Sequence, residues 1–169
     1  MSAKGRTRLG IPVGVQLDKM KGKQNDQVKQ EGGYKGNLLI LSGILLVTIF
    51  AYSNVYKFDF VKWDDDAYII YNPLIQDFSW NGIKAIFTSI DVSNYHPLTT
   101  LSNAVELKLF GLQPAHFHAV NVLIHLLNVV LVFFFIRILT GQNFLALFCA
   151  FFFGVHPMHV ESVTWVSER

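Results

Sequence analysis

The sequence predicts an all-α membrane protein with about three transmembrane helices and a partly helical extracytoplasmic loop that carries interfacial helices. Of its 169 residues, 51% are hydrophobic and only 15% are charged, against about 25% charged residues in an average soluble domain. Uncharged stretches occupy residues 36–56, 109–136 and 138–160. A helix needs about 20 apolar residues to cross roughly 30 Å of hydrocarbon. The first two stretches are long enough, whereas the third has a short apolar centre and needs its flanking residues.

Seven segments are expected in order along the chain. They are a basic, disordered cytoplasmic tail at 1–37, a first span at 38–56, an extracytoplasmic loop at 57–115, a second span at 116–139, a cytoplasmic link at 140–143, a third span at 144–157, and the start of a second extracytoplasmic loop at 158–169. The single cysteine, Cys149, falls in the third span, so it cannot form an intrachain disulfide. We therefore expect the loop to dock on the spans rather than to fold alone.

The distribution of charge predicts the orientation of the chain in the membrane. Residues 1–37 hold eight lysines and arginines against three acids, whereas residues 57–114 hold four lysines against seven acids. Because positively charged flanks stay inside, the N-terminus of this multi-pass protein is predicted to be cytoplasmic, in the inner or plasma membrane if the protein is bacterial. The basic tail has no aromatic interleaving and no motif, which argues against a nucleic-acid partner and favours a disordered segment next to membrane lipid.

Local signals predict two helices within the loop. Ser79 suits the N-cap of a short helix at residues 80–88. Pro97 suits the first turn of a second helix, which Gly111 and Pro114 should end. Apolar residues recur along this second helix at helical spacing, namely Leu98, Leu101, Val105 and Leu109. The second helix is therefore expected to lie along the membrane surface.

Three adjacent carboxylates, Asp64, Asp65 and Asp66, follow the first span closely. Like charges side by side repel one another, so the triplet needs water, cations or a polar substrate around it. The flanking Trp63 and Tyr68 should hold it near the membrane interface. A carboxylate there could accept a proton from a nucleophilic hydroxyl, or hold a divalent cation against a phosphate. From the residues alone, a solvated acidic loop explains the triplet almost as well.

The second span carries a polar stripe of four side chains, His118, Asn121, His125 and Asn128. Their spacing places them within one sector of about 80° on a helix. Polar side chains inside a bilayer are costly and usually face a bundle interior or a wet cavity. Two interpretations stay open: hydrogen bonds between packed spans, or a polar wall beneath the acidic triplet. All four are expected to face protein rather than lipid.

Two His-Pro elements, at His96-Pro97 and His156-Pro157, should share one side of the membrane with the acidic triplet. His156, His159 and Glu161 include metal-ligand types, but His-x-x-His is not the spacing of a zinc protease. Hydrogen bonding to a phosphate oxygen is the favoured role over a zinc site. The alternative is structural, with His96 and His156 simply starting or ending helices before proline.

Four motifs occur in order along the chain. They are residues 60–69 with Asn72-Pro73, then Tyr95-His96-Pro97-Leu98, then Phe110-Gly111-Leu112 with His116, His118, Asn121 and His125, and then residues 156–163 with Glu168-Arg169. In this order they resemble the membrane-embedded start of the transmembrane and tetratricopeptide-repeat proteins, which are related to the protein O-mannosyltransferases. The resemblance covers about residues 38–169 and leaves the N-terminal tail outside.

The resemblance implies a membrane glycosyltransferase of the C-type fold. In such enzymes an acidic residue of the first extracytoplasmic loop lies at the active site. The donor is a sugar linked to a lipid (polyprenyl) phosphate, and the acceptor is a hydroxyl of a protein or another molecule. The family's paired acids fall on Asp64 and Asp65, the candidate catalytic residues. The candidates for contacting the donor phosphate or lining the site are His96, His118, His156, His159 and Glu161. A divalent cation could assist, and metal dependence stays open.

Members of this family usually continue through further spans into 34-residue helical-hairpin repeats, and nothing in this sequence resembles those repeats. We therefore expect the chain to be a fragment of a larger helical bundle and to be inactive alone. A second hypothesis is a non-catalytic membrane anchor or interaction subunit. A metal transporter is a weaker third, because the acids lie in a loop rather than within a span.

Overall fold

The protein is described from a computed structural model, which describes residue 33 and residues 35–90 and 94–168. Nearly all of the expected N-terminal tail therefore lies outside the described residues. The chain divides into two compact units, Met1–Ser42 and Gly43–Arg169. Of the first unit, the described residues are helical, and the hydroxyl of Ser42 donates to the Leu38 carbonyl at 2.9 Å. The second unit carries the loop and all of the candidate site residues discussed below.

The described residues form helices and no β-strand, as the sequence predicts. Helix α1 covers residues 35–51 and is followed by a 3-10 turn. The other elements are a π-helical turn at Asp66–Ile70, α2 at Pro73–Gln76, α3 at Trp80–Thr88, α4 at Pro97–Phe110, α5 at Pro114–Thr140, α6 at Asn143–Val155, a 3-10 turn at Pro157–His159 and α7 at Val160–Thr164.

Two helical segments are long and apolar enough to cross a membrane, Lys35–Lys57 and Pro114–Thr140. The spans expected at 38–56 and 116–139 lie inside them. The 13 residues of α6 rise only about 20 Å at roughly 1.5 Å per residue, less than the roughly 30 Å of a bilayer core. A third span exists only if α6 and Pro157–Thr164, which are bent by 51°, cross the membrane together. The expected shortness of the third span is thus confirmed.

The loop helices begin and end at the residues that local signals predict. The Ser79 hydroxyl accepts from the Gly82 amide at 3.1 Å and caps α3. A Cβ at position 82 would clash with the Asp77 carbonyl, so glycine lets the two backbones meet there. Hydrogen bonds from Ser79 hold the pKa of the Asp77 carboxyl below its ordinary value. Helix α4 starts at Pro97 and ends at Gly111, whose φ of 71° favours glycine.

The loop docks on the membrane helices, as expected for a segment without a disulfide. Its core joins side chains from α2, α3 and α4 to the first turns of α5 and to the C-terminal end of the described chain. The buried members are Ile69, Ile75, Ile86, Ala104, Phe117 and Val166. A second, smaller cluster of Tyr52, Val55 and Val163 joins the end of the first span to α7. The loop and the spans therefore form one packed body within residues 43–168.

Helix α4 turns its polar side inward. Thr100, Asn103 and Glu106 are buried, whereas Leu98 and Leu109 are exposed. The exposed apolar side agrees with the predicted position along a membrane surface. The inward position of Glu106 was not anticipated. Its carboxylate accepts a hydrogen bond from the Ser102 hydroxyl at 3.0 Å, one turn earlier in the same helix.

Helices α1, α5 and α6 are in close contact at Thr48, Val129 and Gly154. Thr48 and Val129 are fully buried, and the Thr48 hydroxyl donates to the Ile44 carbonyl at 3.0 Å within its own helix. A Cβ on Gly154 would lie 2.5 Å from the Thr48 Oγ1 and 3.3 Å from a Val129 methyl. Glycine at this position therefore lets α6 approach α1 and α5, as small residues commonly do between membrane helices.

Gly154→Ala is expected to destabilise this packing by about 1–3 kcal/mol, because the added methyl overpacks the three-helix contact. Thermal unfolding of the membrane-reconstituted chain measures the effect. Thr48→Ala removes the closest atom and should partly rescue Gly154→Ala. Gly43→Ala is the matched control, since nothing lies within 4 Å of its Cβ position. Equal destabilisation by both alanine variants would contradict the proposed close contact.

Candidate functional site

The acidic triplet is tied to the C-terminal segment of the described chain through Asp65. Its carboxylate is fully buried, and its two oxygens accept hydrogen bonds from the amides of Val61, at 2.9 Å, and Ser167, at 3.0 Å. Ser167 lies 102 residues further along the chain. Asp65 thus fastens the loop to the segment that follows α7.

Asp64 and Asp66 differ from Asp65 in their surroundings. Both are half-buried, and within the described part of the chain neither carboxylate accepts a hydrogen bond that competes with a ligand. Asp66 begins the π-helical turn. Of the two predicted catalytic acids, Asp65 has both oxygens engaged by the backbone, whereas Asp64 keeps its oxygens available to solvent or substrate.

The first His-Pro element lies beside Tyr68, two residues beyond the acidic triplet. The His96 ring packs against the edge of Tyr68, with ring centroids 5.2 Å apart. His96 starts α4, and its Nδ1 lies 3.4 Å from the Thr100 hydroxyl. The expectation that the acidic triplet and both His-Pro elements share one side of the membrane stays a prediction.

An acidic groove of about 440 Å³ lies between the end of the first span and α7. It is lined by Phe58, Asp59, Val61, Trp63, Glu161, Thr164 and Trp165. The rings of Trp63 and Trp165 are 6.5 Å apart and tilted. Glu161 is exposed here, so it faces a different space from the histidine that precedes it by two positions.

The polar stripe of α5 is buried at three of its four positions. His118, Asn121 and His125 have at most 4% of their surface exposed, whereas Asn128 is exposed. Asn121 Nδ2 donates to the Trp165 carbonyl at 2.9 Å, and His125 Nε2 lies 3.0 Å from the Gly154 carbonyl. The stripe therefore bonds neighbouring segments at Asn121 and His125, as the first interpretation holds. Part of the stripe also lines a cavity, but a polar wall beneath the acidic triplet stays a prediction.

That polar cavity has a volume of about 250 Å³ and lies between α5, α6 and α7. It is lined by Asn121, Ile124, His125, Asn128, Phe153, His159, Ser162, Val163 and Glu168. The His159 ring packs on Phe153, with centroids 4.2 Å apart, and lies 5.5 Å from the His125 ring. Two imidazoles, two amides, a hydroxyl and a carboxylate thus converge on one small space.

His118 occupies a third environment. It is 2% exposed, and its ring meets the edge of Phe58 with centroids 6.4 Å apart. The Phe58 backbone and the carboxylates of Asp65 and Asp59 act on it electrostatically. Neither ring nitrogen reaches a partner in hydrogen-bond geometry within the described residues.

The five predicted donor-contacting residues do not form one cluster. His96 packs beside Tyr68, His118 lies under Phe58, His159 lines the polar cavity and Glu161 lines the acidic groove. His156 accepts from the Met158 amide at 3.2 Å and so caps the following turn, the structural role that the sequence left open. Among residues 35–90 and 94–168, no three His, Cys, Asp or Glu side chains lie close enough to hold a metal ion.

Sequence reasoning missed several contributors. Thr48 had a readable signal, since it is a polar residue inside an apolar span. Glu168 was noted only as part of a motif, yet it lines the polar cavity. The backbone groups of Trp165 and Ser167 had no readable signal, because the amide and carbonyl of any residue are alike in sequence.

The fold and the site together define an α-helical membrane protein whose acidic loop is fastened to a His-rich segment at one end of its bundle. No family model matches the chain, and no solved structure matches it. Curated relatives do match. Protein O-mannosyl-transferase F38B6.6 of Caenorhabditis elegans is 31% identical over 157 residues, which cover 83% of this chain and 22% of that protein.

Two further relatives carry the same description. Human protein O-mannosyl-transferase TMTC2 is 30% identical over 125 residues, covering 70% of this chain and 15% of that protein. Mouse protein O-mannosyl-transferase TMTC1 is 36% identical over 87 residues, covering 51% of this chain and 9% of that protein. The chain is thus a homologue of TMTC-type protein O-mannosyl-transferases, as its motifs predicted. It spans less than a quarter of the length of these relatives.

Proposed function

We propose that this chain forms part of the active-site region of a membrane glycosyltransferase that moves a sugar from a polyprenyl-phosphate donor to a hydroxyl of a protein. The relatives' shared description, protein O-mannosyl-transferase, supports sugar transfer in general terms. The donor class comes from the family resemblance of the motifs. The proposed orientation places the N-terminus in the cytoplasm and the acidic loop on the opposite side.

The single observation that carries the proposal is that the adjacent carboxylates of Asp64 and Asp65 differ in burial and in hydrogen bonding. Asp65 is buried and holds two backbone amides, which fixes the backbone at position 64. Asp64 remains half-buried and unengaged within the described part of the chain. A general base must be held firmly and still reach its substrate. Asp64 meets both conditions better than Asp65 does.

The proposed chemistry at Asp64 is proton transfer. The acceptor hydroxyl gives its proton to the Asp64 carboxylate while its oxygen attacks the anomeric carbon, and the lipid phosphate leaves with the electrons of the broken bond. The configuration at the anomeric carbon is then inverted. His96 packs on Tyr68, two residues beyond the acidic triplet, and is the proposed histidine contact for a group bound there.

The test is transfer of mannose from a polyprenyl-phosphate donor to a hydroxyl-bearing peptide. A complete protein that contains this chain is expected to show transfer, whereas residues 1–169 alone should show none. Two or three spans cannot enclose a lipid-linked donor and exclude water as a larger bundle does. A complete, folded protein that transfers no sugar from any polyprenyl phosphate would refute the proposal and favour the non-catalytic membrane subunit.

A further inference from the structure

The polar cavity between α5, α6 and α7 has more hydrogen-bonding capacity than the protein itself uses. Asn121 is 2% exposed, and its Nδ2 is committed to the Trp165 carbonyl. A carbonyl can only accept, so the assignment of the amide nitrogen follows from its partner. The other amide atom, Oδ1, has no hydrogen-bond partner within the described residues. An unpaired buried acceptor is destabilising, and a ligand or water in the cavity would offset that cost.

The Gly154 carbonyl likewise determines the tautomer of His125. Its Nε2 faces the Gly154 carbonyl at 3.0 Å and must therefore carry the proton. In the neutral ring, Nδ1 is then an acceptor. The cavity thus contains acceptors at Asn121 and His125 and a carboxylate at Glu168. The Asn128 amide and the Ser162 hydroxyl can donate as well as accept.

This set of groups selects among ligand classes by charge. A phosphate offers acceptors and negative charge, so it could accept from Asn128 and Ser162 but would be repelled by the Glu168 carboxylate and could not satisfy the Asn121 oxygen. An ammonium offers donors only, so it could pair with Glu168 and the other acceptors but would leave the donor capacity of Asn128 and Ser162 unused. A hydroxyl both donates and accepts, so a ring bearing several hydroxyls can satisfy both kinds of group.

The volume and the apolar lining of the polar cavity also favour a small ring that bears hydroxyls. The volume of about 250 Å³ is below the roughly 300–1,000 Å³ of sites for drug-sized ligands, which suits a single small ring. The apolar members of the lining, Ile124, Phe153 and Val163, can cover the C–H faces of such a ring.

We propose that the polar cavity between α5, α6 and α7 binds the neutral sugar ring of the glycosyl donor, and that the donor phosphate binds elsewhere. The identity of this ligand, a glycosyl donor, rests on the proposed function. The inference reassigns His159, for which charge and the predicted side of the membrane suggested contact with phosphate, to hydrogen bonding with a hydroxyl.

The test measures sugar binding directly, so it needs no transfer. The full 169-residue chain is labelled at its histidine rings and reconstituted in lipid without sugar head groups or maltoside detergent. Methyl α-mannopyranoside is then titrated while ring resonances are recorded by NMR. The His125 and His159 signals are expected to shift saturably. The signal of His116, which is exposed and stacks on Phe110, should stay unchanged.

Removing the charge of Glu168 distinguishes a sugar ligand from a phosphate ligand. Glu168→Gln is expected to weaken binding of the methyl mannoside about 10-fold, since hydrogen bonds to a charged group are the stronger ones. If phosphate were the ligand, the same variant would strengthen its binding. Asp66→Asn removes a half-buried carboxylate outside the cavity and should leave sugar affinity unchanged.

Three outcomes would overturn the inference. They are the absence of His125 and His159 shifts up to the solubility limit of the sugar, saturable shifts with inorganic phosphate that Glu168→Gln enhances, and shifts with methylammonium but not with the sugar. Sugar binding in the cavity without transfer by a complete protein would leave this inference standing and refute only the proposed function.

Discussion

Asp64→Asn, in a complete protein that contains this chain, is expected to lower sugar transfer by about 10²–10⁴-fold, the usual contribution of a general base. Asparagine keeps the shape of the side chain but cannot accept the proton of the acceptor hydroxyl. The loss should appear in kcat rather than in KM, because the carboxylate acts on the reacting atoms in the transition state. Transfer from the polyprenyl-phosphate sugar under single-turnover conditions measures the chemical step.

The stability of the same variant is the necessary companion measurement. Asp64 makes no hydrogen bond within the described residues, so Asp64→Asn should unfold at the temperature of the unmodified protein. Asp66→Asn carries the identical charge change two positions away and should reduce transfer far less. Full activity in Asp64→Asn would remove Asp64 from the proposed mechanism, and equal losses in both variants would indicate a general effect of charge.

Local signals predicted the boundaries of the loop helices well. Ser79, Pro97 and Gly111 act through hydrogen bonds and dihedral angles within their own turns, so their effects do not depend on the rest of the fold. The apolar length of the spans and the helical spacing of the polar stripe on α5 are similarly local. The burial of His118, Asn121 and His125 follows from that spacing and from the cost of polar groups in a bilayer.

The distinction between Asp64 and Asp65 could not be read from the sequence. The two are adjacent and identical, and they differ because the amides of Val61 and Ser167 donate to Asp65 and not to Asp64. Ser167 lies 102 residues further along the chain. The separation of the predicted site residues among different cavities could not be read from the sequence either. His159 and Glu161 are two residues apart on a helical segment, and this separation turns one into the polar cavity and the other into the acidic groove.

The inward position of the polar side of α4 also could not be predicted from the sequence. Of the four apolar residues that recur at helical spacing, Leu98 and Leu109 are exposed, whereas Leu101 and Val105 are half-buried and Leu101 packs against the loop core. The same pattern in a soluble protein would place the whole stripe inside. Which side is buried depends on whether the surrounding medium is water or lipid, and only the composition of the chain suggests the medium.

Asp65→Ala is expected to destabilise the protein rather than to impair chemistry alone. The substitution leaves the amides of Val61 and Ser167 without their acceptor, and an amide that is shielded from water and left unpaired costs about 1–3 kcal/mol. The C-terminal segment should then detach from the loop. Hydrogen exchange at the two amides and thermal unfolding of the reconstituted chain measure the loss.

Asp65→Asn refines this test because it keeps one acceptor oxygen. One backbone amide retains its bond while the other faces an NH₂ group, so the variant should unfold between the unmodified protein and Asp65→Ala. In a complete protein, all Asp65 variants should lose activity in proportion to their lost structure, whereas Asp64→Asn loses activity with its structure intact. If Asp65→Ala kept both its unfolding temperature and the slow exchange of the Val61 and Ser167 amides, the carboxylate would not fasten the loop. In that case Asp65 would not position Asp64 either.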